Sequence, residues 1–160
     1  TTWHTAEDFG IRFVQPDSFL IGRFQPLAVS PQAAGLGLKP GLANAVVLVR
    51  PEDLGEHSVG AIPVGEIPVI WLDRTLSWNP VAWEQVADTS YAVGERTVYE
   101  FPGYPSMYGD ASFFYVVSLD PGEWIEIAGH RTAMASGGGV ETHFDRVIEE
   151  LVTTVERVER

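Results

Sequence analysis

The sequence near its C-terminus carries one apolar stripe at helical spacing. Its members recur every three or four residues: Phe144, Val147, Ile148, Leu151, Val152, Val155 and Val158. Such a stripe predicts an amphipathic helix whose apolar side must be buried. Thr142 is a candidate N-cap, with Asp145 three residues later in the position of a capping box. Because valine is a mediocre helix former, packing against a sheet has to stabilise this helix.

The first half of the chain predicts several strands. Residues 9–14 alternate the apolar Phe9, Ile11 and Phe13 with Gly10 and Arg12, which predicts a strand. Residues 19–24 predict a second strand after a turn at Pro16-Asp17, and we expect the two strands to form a hairpin. Residues 45–49 are an apolar, β-branched run, which is typical of a strand covered on both faces. Residues 67–72 predict the next strand. The proline- and glycine-bearing residues 25–41 between these strands predict a long loop.

Three further strands and two short helical segments are also predicted. The strands are residues 95–101, 111–119 and 123–130, and Asp120-Pro121-Gly122 predicts a tight turn that pairs the last two antiparallel. Pro51 to Leu54 is a candidate helical turn. Asn79-Pro80 is a helix start signal, and the helix is expected to end near Ala87.

The order of these elements predicts an α+β fold. The expected architecture is a mainly antiparallel sheet with the C-terminal amphipathic helix packed on one face. A length of 160 residues, with 45% hydrophobic and 20% charged residues, is ordinary for one globular domain spanning residues 1–160.

Charge and composition disfavour several classes of partner. The formal net charge is −12, from 22 acidic and 10 basic side chains, so nucleic acids and anionic lipids are disfavoured partners. No apolar stretch is long enough to span a bilayer, which argues against membrane insertion of this segment. The chain contains no cysteine, which excludes disulfides, thiolate metal sites and cysteine nucleophiles. It begins with Thr1 and shows no charged-then-apolar leader, so we expect that either a leader has been removed or the sequence has been shortened.

The polar residues form no recognisable catalytic or metal-binding motif, and no cofactor is predicted. The four histidines lack the spacing of a zinc-binding helix. His130, Glu141 and His143 would converge on a metal only if the final helix began beside the last strand. The glycines at 137–139 precede the final helix without the lysine and hydroxyl residue of a phosphate-binding loop, which favours an ordinary connector.

Aromatic residues supply the candidate binding site. Tyr104 and Tyr108 lie in the proline- and glycine-bearing connection 102–110, where a loop displays side chains well, and Trp124 follows nearby. Together with His130 they are the candidate binding residues for a protein or small-molecule ligand. The alternative interpretation is that these rings close one end of the core.

Three parts of the sequence resemble the PsbP-like superfamily. They are residues 9–16 (Phe-Gly-Ile-Arg-Phe-Val-Gln-Pro), the strand pair at 113–117 and 124–127, and the final helix at 143–155. The resemblance covers the two ends of the chain; the family has Gly-Phe where this chain has Phe9-Gly10. It implies an α-β-α sandwich, export from the cytoplasm, sometimes as a lipoprotein, and a binding or accessory role without catalysis.

The leading hypothesis is therefore a non-catalytic, extracytoplasmic binding or accessory domain. Its partner would be a protein or a small ligand bound near residues 102–110. The first alternative is a hydrolase that uses carboxylates and a histidine such as His130. The second is a structural domain that packs into a larger assembly through a flat apolar patch.

Overall fold

The computed structural model describes residues 1–23, 45–62, 67–73, 87–101, 105–106, 109–110, 113–120, 123–130 and 144–158. The strands in chain order are β1 (Trp3–Ala6), β2 (Ile11–Val14), β3 (Leu20–Arg23), β4 (Val46–Val49), β5 (Val69–Asp73), β6 (Thr89–Val93), β7 (Arg96–Phe101), β8 (Pro105–Ser106), β9 (Gly109–Asp110), β10 (Phe113–Asp120), β11 (Glu123–His130) and β12 (Glu156–Arg157). The α-helices are α1 (Pro51–Leu54) and α2 (Asp145–Thr154), and 3-10 turns occupy Glu7–Phe9 and Val59–Ala61.

Seven of these strands form one antiparallel sheet in the order β3-β4-β5-β11-β10-β7-β6. The predicted hairpin of β10 and β11 is confirmed, with pairing from Phe113 opposite Gly129 to Asp120 opposite Glu123. Gly129 is required there, because a Cβ atom at this position would lie 2.0 Å from the carbonyl oxygen of Val69. The sheet-dominated α+β fold expected from the sequence is thus present in the described residues.

Helix α2 packs on one face of this sheet, as predicted. Its buried residues Ile148, Leu151 and Val152 belong to the same apolar cluster as the inward side chains of four central sheet positions, which are Ile70, Leu72, Ile125 and Ile127. The predicted start was wrong, because the N-cap is Phe144 and no side chain caps the helix. Thr142, the expected cap, lies outside the described residues.

The predicted end of α2 was also wrong. The helix stops at Thr154, and Val155 is in an extended conformation (φ −58°, ψ 129°). Residues Glu156 and Arg157 form β12, which pairs with β2 instead of continuing the helix to Val158. The Val158 N–H donates a hydrogen bond of 2.8 Å to the Gly10 carbonyl, and β12 completes a small sheet of order β1-β2-β12.

The predicted hairpin between residues 9–14 and 19–24 does not form. Strand β2 pairs with β1 and β12, whereas β3 pairs with β4 in the large sheet. A turn at Ser18, whose φ is +64°, carries the chain from one sheet to the other. Immediately after this turn the ring of Phe19 packs edge-on against Phe144 at 5.7 Å, which joins the small sheet, α2 and the large sheet in one core.

The remaining strand predictions are confirmed with small shifts of their ends. All four residues of β4 are buried, as expected for a strand covered on both faces. Strands β1, β6, β8 and β9 were not predicted; the last two are short paired strands within residues 102–110, where a loop was expected. The helix expected after Asn79-Pro80 and the loop 25–41 lie outside the described residues. No helix in the described ranges is long and apolar enough to cross a membrane.

Candidate functional site

The large sheet has a second face, opposite α2, on which polar side chains are buried. Alternate residues of a strand point to the same side, so Trp124, Glu126, Ala128 and His130 of β11 share one face. Ala128 belongs to the apolar cluster of that face, and Trp124 packs against it. This surface, which we call the polar face, is continued on β5 by Trp71 and Asp73.

Two carboxyl groups are neighbours on the polar face, at the end of β5. Glu126 of β11 lies directly opposite Asp73 of β5 in the antiparallel register. Side chains in such opposed positions have Cβ atoms about 4.5–5.5 Å apart. Only 7% of the Glu126 surface and 8% of the Asp73 surface remain exposed. The fold therefore holds two acidic groups side by side in an interior position.

The environment keeps a proton on Glu126. The pKa of its carboxyl group is raised from 4.5 to about 8, mainly by burial and to a smaller extent by the negative charge of Asp73. One interaction acts in the opposite sense. The Trp71 Nε1–H donates a hydrogen bond of 2.7 Å to Glu126 Oε2, which favours the ionised form. At neutral pH the protonated form predominates.

Aromatic rings lie near Glu126 on the same face. The Trp71 ring, besides its hydrogen bond to Glu126, packs edge-on against the His130 ring with centroids 5.6 Å apart. On the other side, the rings of Tyr99 and Trp124 lie 5.6 Å apart in a tilted arrangement. Trp124 is half-buried, whereas Trp71 and Tyr99 are buried. The polar face thus combines carboxyl groups with aromatic surfaces.

The predicted binding residues are only partly brought together. Trp124 and His130 share the polar face but stand six residues apart on β11, which corresponds to roughly 20 Å. Tyr104 and Tyr108 lie outside the described residues. Phe101 and Phe113, the described residues on either side of the predicted 102–110 loop in the sequence, lie at the His130 end of the sheet. Phe113 is opposite Gly129, and Phe101 is opposite Phe114.

Sequence reasoning missed Asp73, Glu126 and Trp71. A local signal was present, because Glu126 is the one charged residue within the otherwise apolar run Trp124-Ile125-Glu126-Ile127-Ala128. In a strand covered on both faces, an acidic residue has to be buried whichever way it points. The pairing of Glu126 with Asp73 depends on the register of two strands that are distant in sequence, which single-chain patterns do not reveal.

The carboxyl pair and the histidine do not form a metal cluster. Among the described residues, no three histidine, cysteine, aspartate or glutamate side chains are grouped as a metal site requires. His130 is four residues from Glu126 on β11, or roughly 13 Å, and the Trp71 ring contacts both side chains. The arrangement of the described residues therefore suits proton exchange and recognition of a cationic or hydrogen-bonding group.

Comparison with known proteins identifies no relative. No family model matches the sequence, and neither a curated protein nor a solved structure matches it. The resemblance to the PsbP-like superfamily stays a prediction, and the chemistry of the polar face has to be inferred from its own residues.

Proposed function

We propose that the protein is a non-catalytic binding or accessory domain that acts outside the cytoplasm, with a PsbP-like α-β-α architecture. The sequence resemblance at residues 9–16, at 113–117 with 124–127, and at 143–155 supports the architecture and the location. The polar face supports the binding role and is its ligand site.

The observation that carries this proposal is the buried pair of Asp73 and Glu126. Burying a charged or polar group is costly unless it is well compensated, and apolar residues of similar volume stabilise a core at least as well. A strongly perturbed pKa caused by burial and a specific charged neighbour is characteristic of functional sites. The pair is therefore better explained by binding than by stability of the fold.

The chemistry of the polar face favours a cationic ligand. A primary amine or guanidinium group placed beside Asp73 and Glu126 would offset the repulsion between the two carboxylates. Trp71, Tyr99 and Trp124 offer aromatic faces, which attract cations. Because Trp124 is half-buried, it marks the route by which the ligand reaches the face. Binding of the cation expels the proton from Glu126.

A titration monitored by the tryptophan indole N–H signals in a nitrogen-15 NMR spectrum tests the proposal. The probes are arginine amide and spermidine, with glucose and citrate as neutral and anionic controls. We expect the two cations to shift the signals of Trp71 and Trp124. Affinity should rise roughly tenfold for each pH unit from 6 towards 8, because the cation binds the ionised form of Glu126, whose pKa is about 8.

Variants separate this site from general attraction to an acidic protein. Glu126→Gln should abolish the tryptophan shifts, whereas Glu150→Gln, on the exposed side of α2, should leave them unchanged. If no cation shifts the signals, or if Glu126→Gln retains the full response, the polar face is not the ligand site.

One observation favours an enzymatic alternative. A carboxyl group with a pKa of about 8 opposite a second carboxyl group suits a general acid paired with a base or nucleophile. In such a hydrolase Glu126 donates the proton and Asp73 is the partner carboxylate, while the Trp71 ring lies between them and His130. Turnover of nitrophenyl glycosides or esters, abolished by both Glu126→Gln and Asp73→Asn, would select this alternative over binding alone.

A further inference from the structure

One edge of the large sheet is exposed on both faces. Strand β6, Thr89–Val93, is the last strand in the order, and no strand among the described residues pairs with its outer side. Four of its five residues are exposed, and Tyr91 keeps 42% of its surface accessible. An edge strand directs N–H and C=O groups of alternate residues outward, where another strand can bind them.

Within the described ranges, this edge shows none of the devices that usually protect an edge strand. Strand β6 contains no proline and no charged residue, and it pairs with β7 continuously from Thr89 opposite Glu100 to Val93 opposite Arg96. Short, charged, bulged or covered edges are the common protections against pairing with another chain. The five uninterrupted residue pairs give a regular template for an additional strand.

The opposite edge, strand β3, is protected. Arg23 of β3 forms two hydrogen bonds with Asp8, of 2.8 and 2.6 Å, and its guanidinium lies 4.2 Å from the centre of the Phe9 ring. Gly22 of β3 lies against Val59, so close that a Cβ atom there would meet Val59 Cγ1 at 2.4 Å. Charge and neighbouring residues therefore cover β3, and nothing comparable is found on β6 in the described part of the chain.

The side chains beside β6 define which segment would fit. Tyr91 lies on the α2 side of the sheet, because it is opposite Val98 of the α2-facing cluster. Glu100 of β7 and Glu149 of α2 are close enough that their charges raise the pKa of the Tyr91 hydroxyl, after the larger effect of burial. The Tyr115 hydroxyl lies 3.4 Å from Glu100 Oε1.

In the described part of the chain, no basic side chain forms an ion pair with Glu100 or Glu149. Arg96 lies on the same side of β7 as Glu100, but it is attracted to Glu156 of β12. Asp88 and Glu95 are exposed at the two ends of β6. With a net charge of −12 for the whole chain, the surroundings of β6 are complementary to a cationic segment.

We propose that β6 is a docking edge for an extended, basic segment of a partner protein, which adds an eighth strand to the sheet. Backbone hydrogen bonds hold the segment, and alternate lysine or arginine side chains lie on Tyr91 between Glu100 and Glu149. This surface is separate from the polar face and does not depend on Asp73 or Glu126. A second copy of the chain fits less well, because antiparallel pairing centred on Tyr91 brings Asp88 of one copy beside Glu95 of the other.

The experiment uses fluorescently labelled seven-residue peptides of alternating lysine and valine, with glutamate–valine peptides of the same length as the matched control. We expect the lysine peptide to bind, the glutamate peptide to fail, and the affinity to fall as salt rises. On binding, hydrogen exchange of the backbone amides in residues 89–93 should slow at least threefold. A lysine peptide with a central proline should bind at least tenfold more weakly, because it cannot complete the backbone pairing.

Variants of this protein test the side-chain contacts without disturbing the core. The double substitution Tyr91→Ala with Glu149→Gln should weaken the lysine peptide about tenfold, while Glu150→Gln on the same helix should change its affinity less than twofold. Glu126→Gln should also leave peptide binding unchanged, which distinguishes this surface from the polar face. Equal binding of the two charged peptides, or equal losses for the double variant and for Glu150→Gln, would overturn the proposal. A dimer dispersed by Tyr91→Ala would overturn it in favour of a second copy.

Discussion

The two faces of the seven-stranded sheet differ although the same strands build both. On the α2 side, neighbouring positions of β5 and β11 are occupied by Ile70, Leu72, Ile125 and Ile127, all fully buried. On the other side the same two strands bury Asp73, Glu126 and His130. Because successive side chains of a strand point to opposite faces, the same strands build one face that stabilises the fold and another whose polar groups are costly to bury.

The largest expected effect lies on the apolar face. Leu151 of α2 is fully buried in the cluster that joins helix and sheet. Leu151→Ala removes three buried carbon atoms and leaves a cavity, so the free energy of unfolding should fall by about 3–5 kcal/mol. Urea unfolding measures this loss, which should be the same at pH 5 and pH 8. A loss below about 1 kcal/mol would show that α2 is not packed as described.

Replacing Glu126 on the polar face should have the opposite effect, an increase in the free energy of unfolding at neutral pH. Glu126 has a pKa of about 8 in the folded chain and 4.5 as its ordinary value, so the folded state holds the proton more tightly. The resulting contribution to the free energy of unfolding is fully present below pH 4.5. It is lost as the pH rises to about 8, because Glu126 ionises at lower pH in the unfolded chain than in the fold. Glutamine cannot ionise, and its side-chain oxygen can still accept the Trp71 hydrogen bond.

Glu126→Gln should therefore stabilise the protein at neutral pH. One pKa unit corresponds to about 1.4 kcal/mol, so the interval from pH 4.5 to pH 7 predicts a gain of about 3 kcal/mol over the natural sequence. Urea unfolding across this range should show the gain shrinking towards zero near pH 4.5. Parallel pH profiles for the two proteins would mean that Glu126 is ionised in the fold and that the polar face is hydrated.

Local patterns predicted the large sheet and the C-terminal helix, and non-local pairing explains the errors. Residues 45–49, the β10–β11 hairpin and the stripe of α2 show their structure in the spacing of adjacent side chains. The helix end and the hairpin expected at β2 were wrong because β12 pairs with β2, and the contact of Arg12 with Glu156 spans 144 positions. No local pattern encodes such a pairing.

The candidate site was even harder to predict from local sequence patterns than the fold. Each of Asp73 and Glu126 looks ordinary in an acidic sequence, and their relation arises only when β5 and β11 pair in register. Trp71 meets Glu126 across 55 positions. Trp124 and His130 were chosen from one stretch of sequence; the structure places them on the expected strand but separates them along it, with Glu126 between them.

The smallest expected effect comes from removing the hydrogen bond between Trp71 and Glu126 on the polar face. Trp71→Phe keeps an aromatic ring at a buried position but removes the donor to Glu126 Oε2. We expect a loss of about 1–3 kcal/mol in the free energy of unfolding at pH 7, from the missing hydrogen bond and the smaller ring. Since the Trp71 hydrogen bond lowers the pKa of Glu126, its removal should raise that pKa further above about 8.

Combining Trp71→Phe with Glu126→Gln separates the effect of the hydrogen bond from the effect of the smaller ring. Any pH dependence contributed by Trp71→Phe should disappear when residue 126 cannot ionise. A pH-dependent loss that survives in the double variant would assign the tryptophan's effect to a group other than Glu126, and the contrast between the faces would then lose its electrostatic basis.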